Sequence, residues 1–321
     1  MVRLILTLIA LLASPVAAET REIAAEGPAG RLAGTLETPQ GVAQAAALIL
    51  PGSGPTDRDG NNPLGSFAHS YRMLAEALAE RGIATARIDK RGIGDSDGDG
   101  NDVSLAAYRA DTAAWVATLL DATGAPCIWL IGHSEGALLA IDAAGLPDIC
   151  GLVLLTPPGR PIGALVRDQL AAQPASAPLV PLFDRALAAL LAGEAPDPAS
   201  LHPGLAPLFA PEVRAYFREL AQFDPAAALA GTDLPVLMIH GDADLQVPPS
   251  EAAPLAAARP DATRLTLGGL SHMLKSVLTL SEAGSVAAYL QANMRSYRDP
   301  TLPLHDDLVP AITDFIGAAR D

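Results

Sequence analysis

Positive charge is scarce in this sequence. Lys and Arg total 21 against 36 acidic residues, a formal charge of −15, or −16 once Arg3 is removed with the N-terminal segment. Such a chain repels nucleic acid and anionic lipid surfaces, and neither is expected as a partner. Lysine occurs only at Lys90 and Lys275, a scarcity that by itself points to no function. Cysteine is nearly absent: Cys127 and Cys150 are the two in the chain, and neither lies near a metal-ligand pattern. Each stands at the start of an apolar run that reads as a strand, and the two strands are expected to be neighbours in a parallel sheet. An oxidising compartment would allow a bridge between them. Two free buried thiols is the alternative, because strand-pair geometry is often poor for bridging. No repeat with a period of 20–50 residues is visible, which excludes solenoids and propellers.

The N-terminal apolar stretch, Leu4 to Leu12, is well short of the ~20 residues needed to cross a bilayer. With Arg3 before it and the small residues Val16-Ala17-Ala18 after it, residues 1–18 read as a secretory signal. Export to the periplasm or the medium is expected, without stable membrane insertion; an uncleaved anchor is the alternative. No cysteine follows the cleavage site, so lipid attachment is not indicated.

Half of the residues are apolar, enough for a sizeable core. Arg31 to Pro39 alternates loosely as an early antiparallel strand, and Ala45 to Leu50 is short and fully apolar, as in a sheet covered on both faces. A helix is expected from about Ser66 to Glu80, then a strand over Ile83 to Ile88. Ser104 would cap a helix with Leu105, Tyr108, Thr112, Trp115, Leu119 and Leu120 on one face. Strands follow at Cys127 to Ile131 and Cys150 to Leu155. Twelve prolines then fall between Pro157 and Pro225, mixed with Ala/Leu stretches, the composition of an inserted cap of short helices. Regular alternation resumes with strands at Pro235 to His240 and Thr263 to Leu267 and helices near 250–259, 281–296 and 306–319. Strand and helix alternating on both sides of the insertion imply an α/β fold with a mainly parallel, doubly wound sheet. The expected division is a core over 19–158 and 231–321, with the cap at 159–230.

Within that frame Gly132-His133-Ser134-Glu135-Gly136 stands between a strand and a small-residue helix, the context in which G-x-S-x-G is a nucleophile elbow. A serine hydroxyl needs a base beside it. Of six histidines, His133 lies in the elbow with its side chain expected to lean away from Ser134. His240 ends a strand, His69 is expected on a helix, His202 falls in the cap and His305 near the last helix. His272, in the loop Gly268-Gly269-Leu270-Ser271-His272 after the last strand, is placed to reach back over the sheet edge. The preceding strand ends in Gly241-Asp242-Ala243-Asp244, which offers two carboxylates to orient the base; residue chemistry barely separates them.

In these motifs the chain resembles the α/β-hydrolase superfamily. Gly241-x-x-Asp244-x-x-Val247 matches the acid turn of that family and favours Asp244, with Asp242 structural. Asp89-x-Arg91-Gly92-x-Gly94-x-Ser96 matches a loop of many of its esterases and peptidases, in which these residues hold the loop together. Pro51-Gly52-Ser53-Gly54-Pro55 stands in place of the usual His-Gly oxyanion loop. This variant, together with Thr156-Pro157-Pro158-Gly159-Arg160, is similar to a bacterial esterase branch whose elbow also reads Gly-His-Ser-Glu-Gly. The resemblance implies an α/β-hydrolase fold with its helical cap after the sixth strand, and a triad of Ser134, Asp244 and His272. It implies an oxyanion hole of the Ser53 and Glu135 backbone N–H groups, Gly54 replacing Ser53 if the loop is shifted by one. It implies no metal or organic cofactor. The expected reaction is hydrolysis of carboxylic esters of small to medium acyl groups. The alternatives are a serine aminopeptidase or amidase, using acidic cap residues among Glu194, Glu212, Glu219 and Asp224 to hold an amine, a thioesterase, or a binding protein without turnover. For Glu135 the side chain is expected to link to a neighbouring loop.

Overall fold

The computed structural model describes residues 19–320; the expected signal, residues 1–18, lies outside them. Eight strands form one sheet: β1 (Glu19–Gly27), β2 (Gly30–Thr38), β3 (Ala45–Leu50), β4 (Ile83–Ile88), β5 (Ile128–His133), β6 (Ile149–Leu155), β7 (Val236–Gly241) and β8 (Thr263–Leu267). Their spatial order is β1-β2-β4-β3-β5-β6-β7-β8. The pairs β1/β2 and β2/β4 are antiparallel and the rest are parallel.

The period-two alternation of the central strands divides the core in two. Ala46, Leu48 and Leu50 of β3, Leu130 of β5 and Leu152 and Leu154 of β6 face one side. There they meet α2 (Leu105–Thr123) and α3 (Glu135–Asp142) through Trp115, Leu119, Leu138 and Ile141. Ala45, Ala47 and Ile49, with Trp129, Ile131, Val153 and Leu155, face the other. That side is covered by α1 (Ser70–Glu80) and the C-terminal α11 (Leu308–Ala318), through Tyr71, Leu74, Leu78, Leu308 and Ile312. Apolar residues on both faces make the strands continuous apolar runs in sequence.

Between β6 and β7 lie α4 (Ile162–Ala172), α5 (Val180–Leu191), α6 (Arg214–Gln222) and α7 (Pro225–Ala230), with short 3₁₀ turns. Phe183, Leu190, Leu205, Phe209 and Phe217 form a cluster of their own there. Tyr216 and Leu220 of α6 and Leu229 of α7 instead join the core beside α3. The cap is tied down at its start, where fully buried Glu251 accepts hydrogen bonds from Gly159 N (2.9 Å) and Arg160 Nε (2.9 Å). After β7 come α8 (Ala252–Ala258), α9 (Leu280–Ala283) and α10 (Val286–Ser296).

Several expectations need correction. The early strand is the second of the sheet; β1, mostly exposed and without clean alternation, precedes it. Helix α1 begins at Ser70, not near Ser66, because Ser66–Phe67 pairs with Asn61–Asn62 in a small antiparallel hairpin. His69 is thus not helical but sits before α1 at φ 52°, held by Asn61. The single helix expected near 281–296 is two, interrupted at Gly284 with φ 70°. Leu105 and Leu120 are only half-buried, while Asp111 and Val116 are buried on the α2 face.

Cys127 and Cys150, left open between thiols and a bridge, are joined, with Cα atoms 5.2 Å apart. The bridge lies at the N-terminal ends of β5 and β6, roughly 20 Å along the strands from the ends that carry the elbow. Removing it frees a loop spanning a separation of 23 residues, worth about 3 kcal/mol by chain entropy. A Cys127→Ala/Cys150→Ala variant is therefore expected to lose about that much stability in urea unfolding, with turnover unchanged. A variant as stable as the parent would contradict the loop-entropy argument.

Candidate active site

The parallel strands present their C-terminal ends on one edge, and after β3 the chain adds β4 on one side of it and β5 on the other, a switch point at which α/β sheets open a crevice. Ser134 stands at that point. It joins β5 to α3 at φ 54°, ψ −120°, a conformation that L residues adopt at a cost of about 1–3 kcal/mol. The glycines around it permit close packing. A Cβ at Gly132 would collide with the Gly136 carbonyl, and one at Gly136 with the Leu50 carbonyl. The turn is fixed at both ends by Ser134 N donating to Leu155 O and Ala137 N donating to Ser134 O, each 2.9 Å.

The loops after β7 and β8 bring Asp244 and His272 together. His272 Nδ1 is 2.8 Å from Asp244 Oδ2, and both side chains are buried. The other carboxylate oxygen, Oδ1, accepts from Gln246 N (2.7 Å) and Val247 N (2.9 Å). With that carboxylate accepting, the imidazole proton sits on Nδ1 and Nε2 keeps a lone pair. Asp242 does other work: its Oδ1 accepts from Gly269 N at 2.6 Å, joining the acid turn to the histidine loop. Ser134, His272, Gly52 and Ser53 line one cavity of about 310 Å³.

His133 borders the same cavity, and its ring nitrogens enter a buried chain of hydrogen bonds. Its Nε2 is 2.8 Å from His272 O, its Nδ1 is 2.7 Å from Tyr71 Oη, and Gly52 N donates to the same Tyr71 oxygen at 2.9 Å. A carbonyl only accepts, so Nε2 carries the proton and Nδ1 receives the Tyr71 hydroxyl proton. Burial, reinforced by neighbouring His272, pushes the His133 pKa down to about 3 and keeps the ring neutral. The same ring therefore anchors the loop after β3 through Tyr71 and the loop after β8 through a main-chain carbonyl.

At the loop after β3, Lys90 Nζ donates to Gly52 O at 2.7 Å and lies 3.8 Å from Glu135 Oε1 and 5.7 Å from the centre of the Tyr108 ring. Tyr216 of α6 donates to Glu135 Oε1 at 3.1 Å. Burial pushes the Lys90 ammonium down and Glu135 pushes it back up, while burial beside Glu135 holds the Tyr216 phenol well above its ordinary value. The Glu135 side chain thus links to a neighbouring loop and to the cap. Here lies a second cavity, about 790 Å³, with Pro55, Leu64, Ile93, Val213 and Phe217 among its walls. Leu64 borders both cavities.

The remaining histidines are elsewhere: His240 Nε2 meets Pro157 O, His305 Nε2 meets Gly268 O, and His202 is in the cap. Asp89 and Arg91 hold loops. Asp89 accepts from Arg58 N (2.7 Å) and Asp95 N (3.0 Å), and Arg91 grips Asp111 through two nitrogens. Of the acidic cap residues, Glu219 accepts from Leu105 N, Asp224 caps α7, Glu194 and Glu212 are exposed, and none lines either cavity. Among the described residues no cluster of three or more His, Cys, Asp or Glu side chains could hold a metal ion, and no helix is long and apolar enough to cross a membrane.

A strand–elbow–helix serine sharing a cavity with an Asp-bonded histidine at the C-terminal edge of such a sheet is the arrangement of an α/β hydrolase, and the chain belongs to the alpha/beta hydrolase family, whose profile matches residues 47–288. Among curated proteins, the esterase EstD of Thermotoga maritima is 28% identical over 237 residues, 73% of this chain and 54% of EstD, so the match spans about half the length of that relative. Among solved structures, the esterase Pf2001 of Pyrococcus furiosus superposes with a TM-score of 0.58 at 16% identity, covering 95% of this chain and 92% of its own. Est1E of Butyrivibrio proteoclasticus, solved with ferulic acid bound, gives 0.55 at 18% identity, covering 93% and 96%. At these identities the two structures establish likeness of fold.

The neutral His133 sets a pH dependence. Its folded pKa of about 3 lies below the ordinary 6.5, so between those values protons bind the unfolded chain preferentially. Its contribution is whole above pH 6.5 and lost as pH falls towards 3. Between pH 7 and pH 5 this amounts to about 2 kcal/mol. Urea unfolding at the two pH values should show His133→Gln escaping that part of the acid loss; an acid slope identical to the parent would contradict the assignment.

Proposed function

We propose that this protein is an exported serine carboxylesterase, acting in the periplasm or the medium on esters of small to medium acyl groups. The observation that carries the reading is the 2.8 Å Asp244–His272 hydrogen bond at a cavity shared with the elbow serine. In the first step Ser134 Oγ attacks the ester carbonyl carbon as its proton passes to His272 Nε2. The carbonyl electron pair moves onto oxygen, beside the N–H groups of Ser53 and Glu135. Neither N–H has an acceptor among the described residues, and preorganised donors of this kind stabilise charge as it develops. Collapse of the tetrahedral species expels the alcohol, protonated by His272. Water, deprotonated by the same ring, then releases the acid and regenerates Ser134. Asp244 holds the tautomer and stabilises the imidazolium.

Support for an ester substrate comes from the esterase relative EstD and from the mostly apolar walls of the second cavity. Export is supported by the N-terminal sequence pattern. A series of p-nitrophenyl acyl esters, set against aminoacyl anilides and acyl thioesters, tests the substrate class. Ester turnover with little anilide hydrolysis is expected, and the reverse would favour an amidase. Ser134→Ala should lower ester turnover by ~10⁶ and abolish labelling by a fluorophosphonate. Near-normal hydrolysis by that variant would end the proposal. The two carboxylates should separate: Asp244→Asn is expected to cost ~10⁴ in kcat, as for the acid of other triads, and Asp242→Asn far less. Equal losses would refute the assignment of Asp244.

A further inference from the structure

We propose that Lys90 is a positioning residue of the oxyanion hole, setting the direction and donor strength of the Ser53 N–H by gripping the carbonyl of the same peptide unit. The inference rests on the esterase reading above and deepens it. Lys90 Nζ donates to Gly52 O at 2.7 Å, and Gly52 C=O and Ser53 N–H belong to one planar group. In a trans peptide the C=O and N–H bonds point in opposite directions, and no described peptide is cis. A cation fixed on the carbonyl side therefore aims the N–H away from itself, towards the cavity shared by Ser53 and Ser134. The preceding peptide is fixed as well, because Gly52 N donates to Tyr71 Oη. Gly52 has no side chain to resist rotation, so these two bonds define its orientation.

Two further effects follow from the same contact. An ammonium on a carbonyl oxygen draws electron density from the amide and strengthens its N–H as a donor. Lys90 also faces Glu135 Oε1, at 3.8 Å, and Glu135 supplies the second N–H of the hole. One buried ammonium thus touches the carbonyl of the peptide unit that carries the Ser53 N–H and the side chain of Glu135, while the Tyr108 ring 5.7 Å away and the Tyr216 hydroxyl on Glu135 hold the pair in place. Neither the reacting serine nor the triad hydrogen bonds involve Lys90, so its loss should act through the oxyanion alone.

The test compares the wild type with Lys90→Met for ester hydrolysis and for inhibition by an alkyl trifluoromethyl ketone. That inhibitor adds Ser134 Oγ to its carbonyl carbon, and the resulting oxyanion occupies the hole. The expected result is a kcat lower by ~30- to 100-fold, a KM within about threefold, and ketone affinity weakened in parallel with kcat. A merely structural role would move the unfolding midpoint or KM without linking kcat to ketone binding. Should the stranded Glu135 carboxylate prevent K90M from folding, the double variant K90M/E135L removes both charges, an exchange that buried pairs commonly tolerate. It keeps the backbone N–H at 135 and should show the same parallel losses. An unchanged kcat, or a lower kcat with unchanged ketone affinity, would overturn the assignment of Lys90. A wild type that neither hydrolyses esters nor takes a fluorophosphonate label would sink the esterase reading and this inference with it.

Discussion

The backbone of Ser134 is the constraint on which the rest depends. Its φ of 54° is held against steric preference by a parallel strand pair on one side and a helix on the other. Only glycine at 132 and 136 lets α3 approach β3 and β5 closely enough to keep it there. The return for this strain is geometric: Ser134 borders the cavity it shares with His272, and the first N–H of α3 is unpaired among the described residues. Strain of about 1–3 kcal/mol is small against the apolar burial on the two faces of the sheet, so the core can hold it.

The loops around that turn are long, and buried polar groups, not tight turns, fix them. Tyr71, His133 and the His272 carbonyl tie the loop after β3 to the loop after β8. Lys90 and Glu135 tie it from the cap side, and Asp242 and Asp244 tie the two loops after β7 and β8. In a low-dielectric interior each link is strong when satisfied and costly when broken. A set of loops cross-linked in this way is held in place by its own buried bonds.

Much of this was legible in the sequence, for identifiable reasons. The central strands announce themselves because burial on both faces leaves them wholly apolar, and the elbow because its glycines are sterically required. His272 is marked by its position after the last strand. Asp244 was separated from Asp242 only by family resemblance; the structure separates them by partners, His272 for one and Gly269 N for the other. Strand β1 escaped notice because an edge strand facing solvent carries no alternation. The hairpin at Asn61–Phe67 escaped because two-residue strands have no periodicity. Lys90 reads as a variable position inside a loop motif. Its meaning lies in a carbonyl 38 residues away, and contacts of that kind leave no local signature. The buried partners of His133 were hidden for the same reason.

The assembly of the site is tested most directly by the crystal structure of the fluorophosphonate-treated protein. Phosphorus bonded to Ser134 Oγ with loss of fluoride is expected, with its phosphoryl oxygen about 2.7–3.1 Å from both Ser53 N and Glu135 N. Phosphorus on any other residue, or on Ser134 with its oxygen turned to solvent and both amides unengaged, would contradict the site described here.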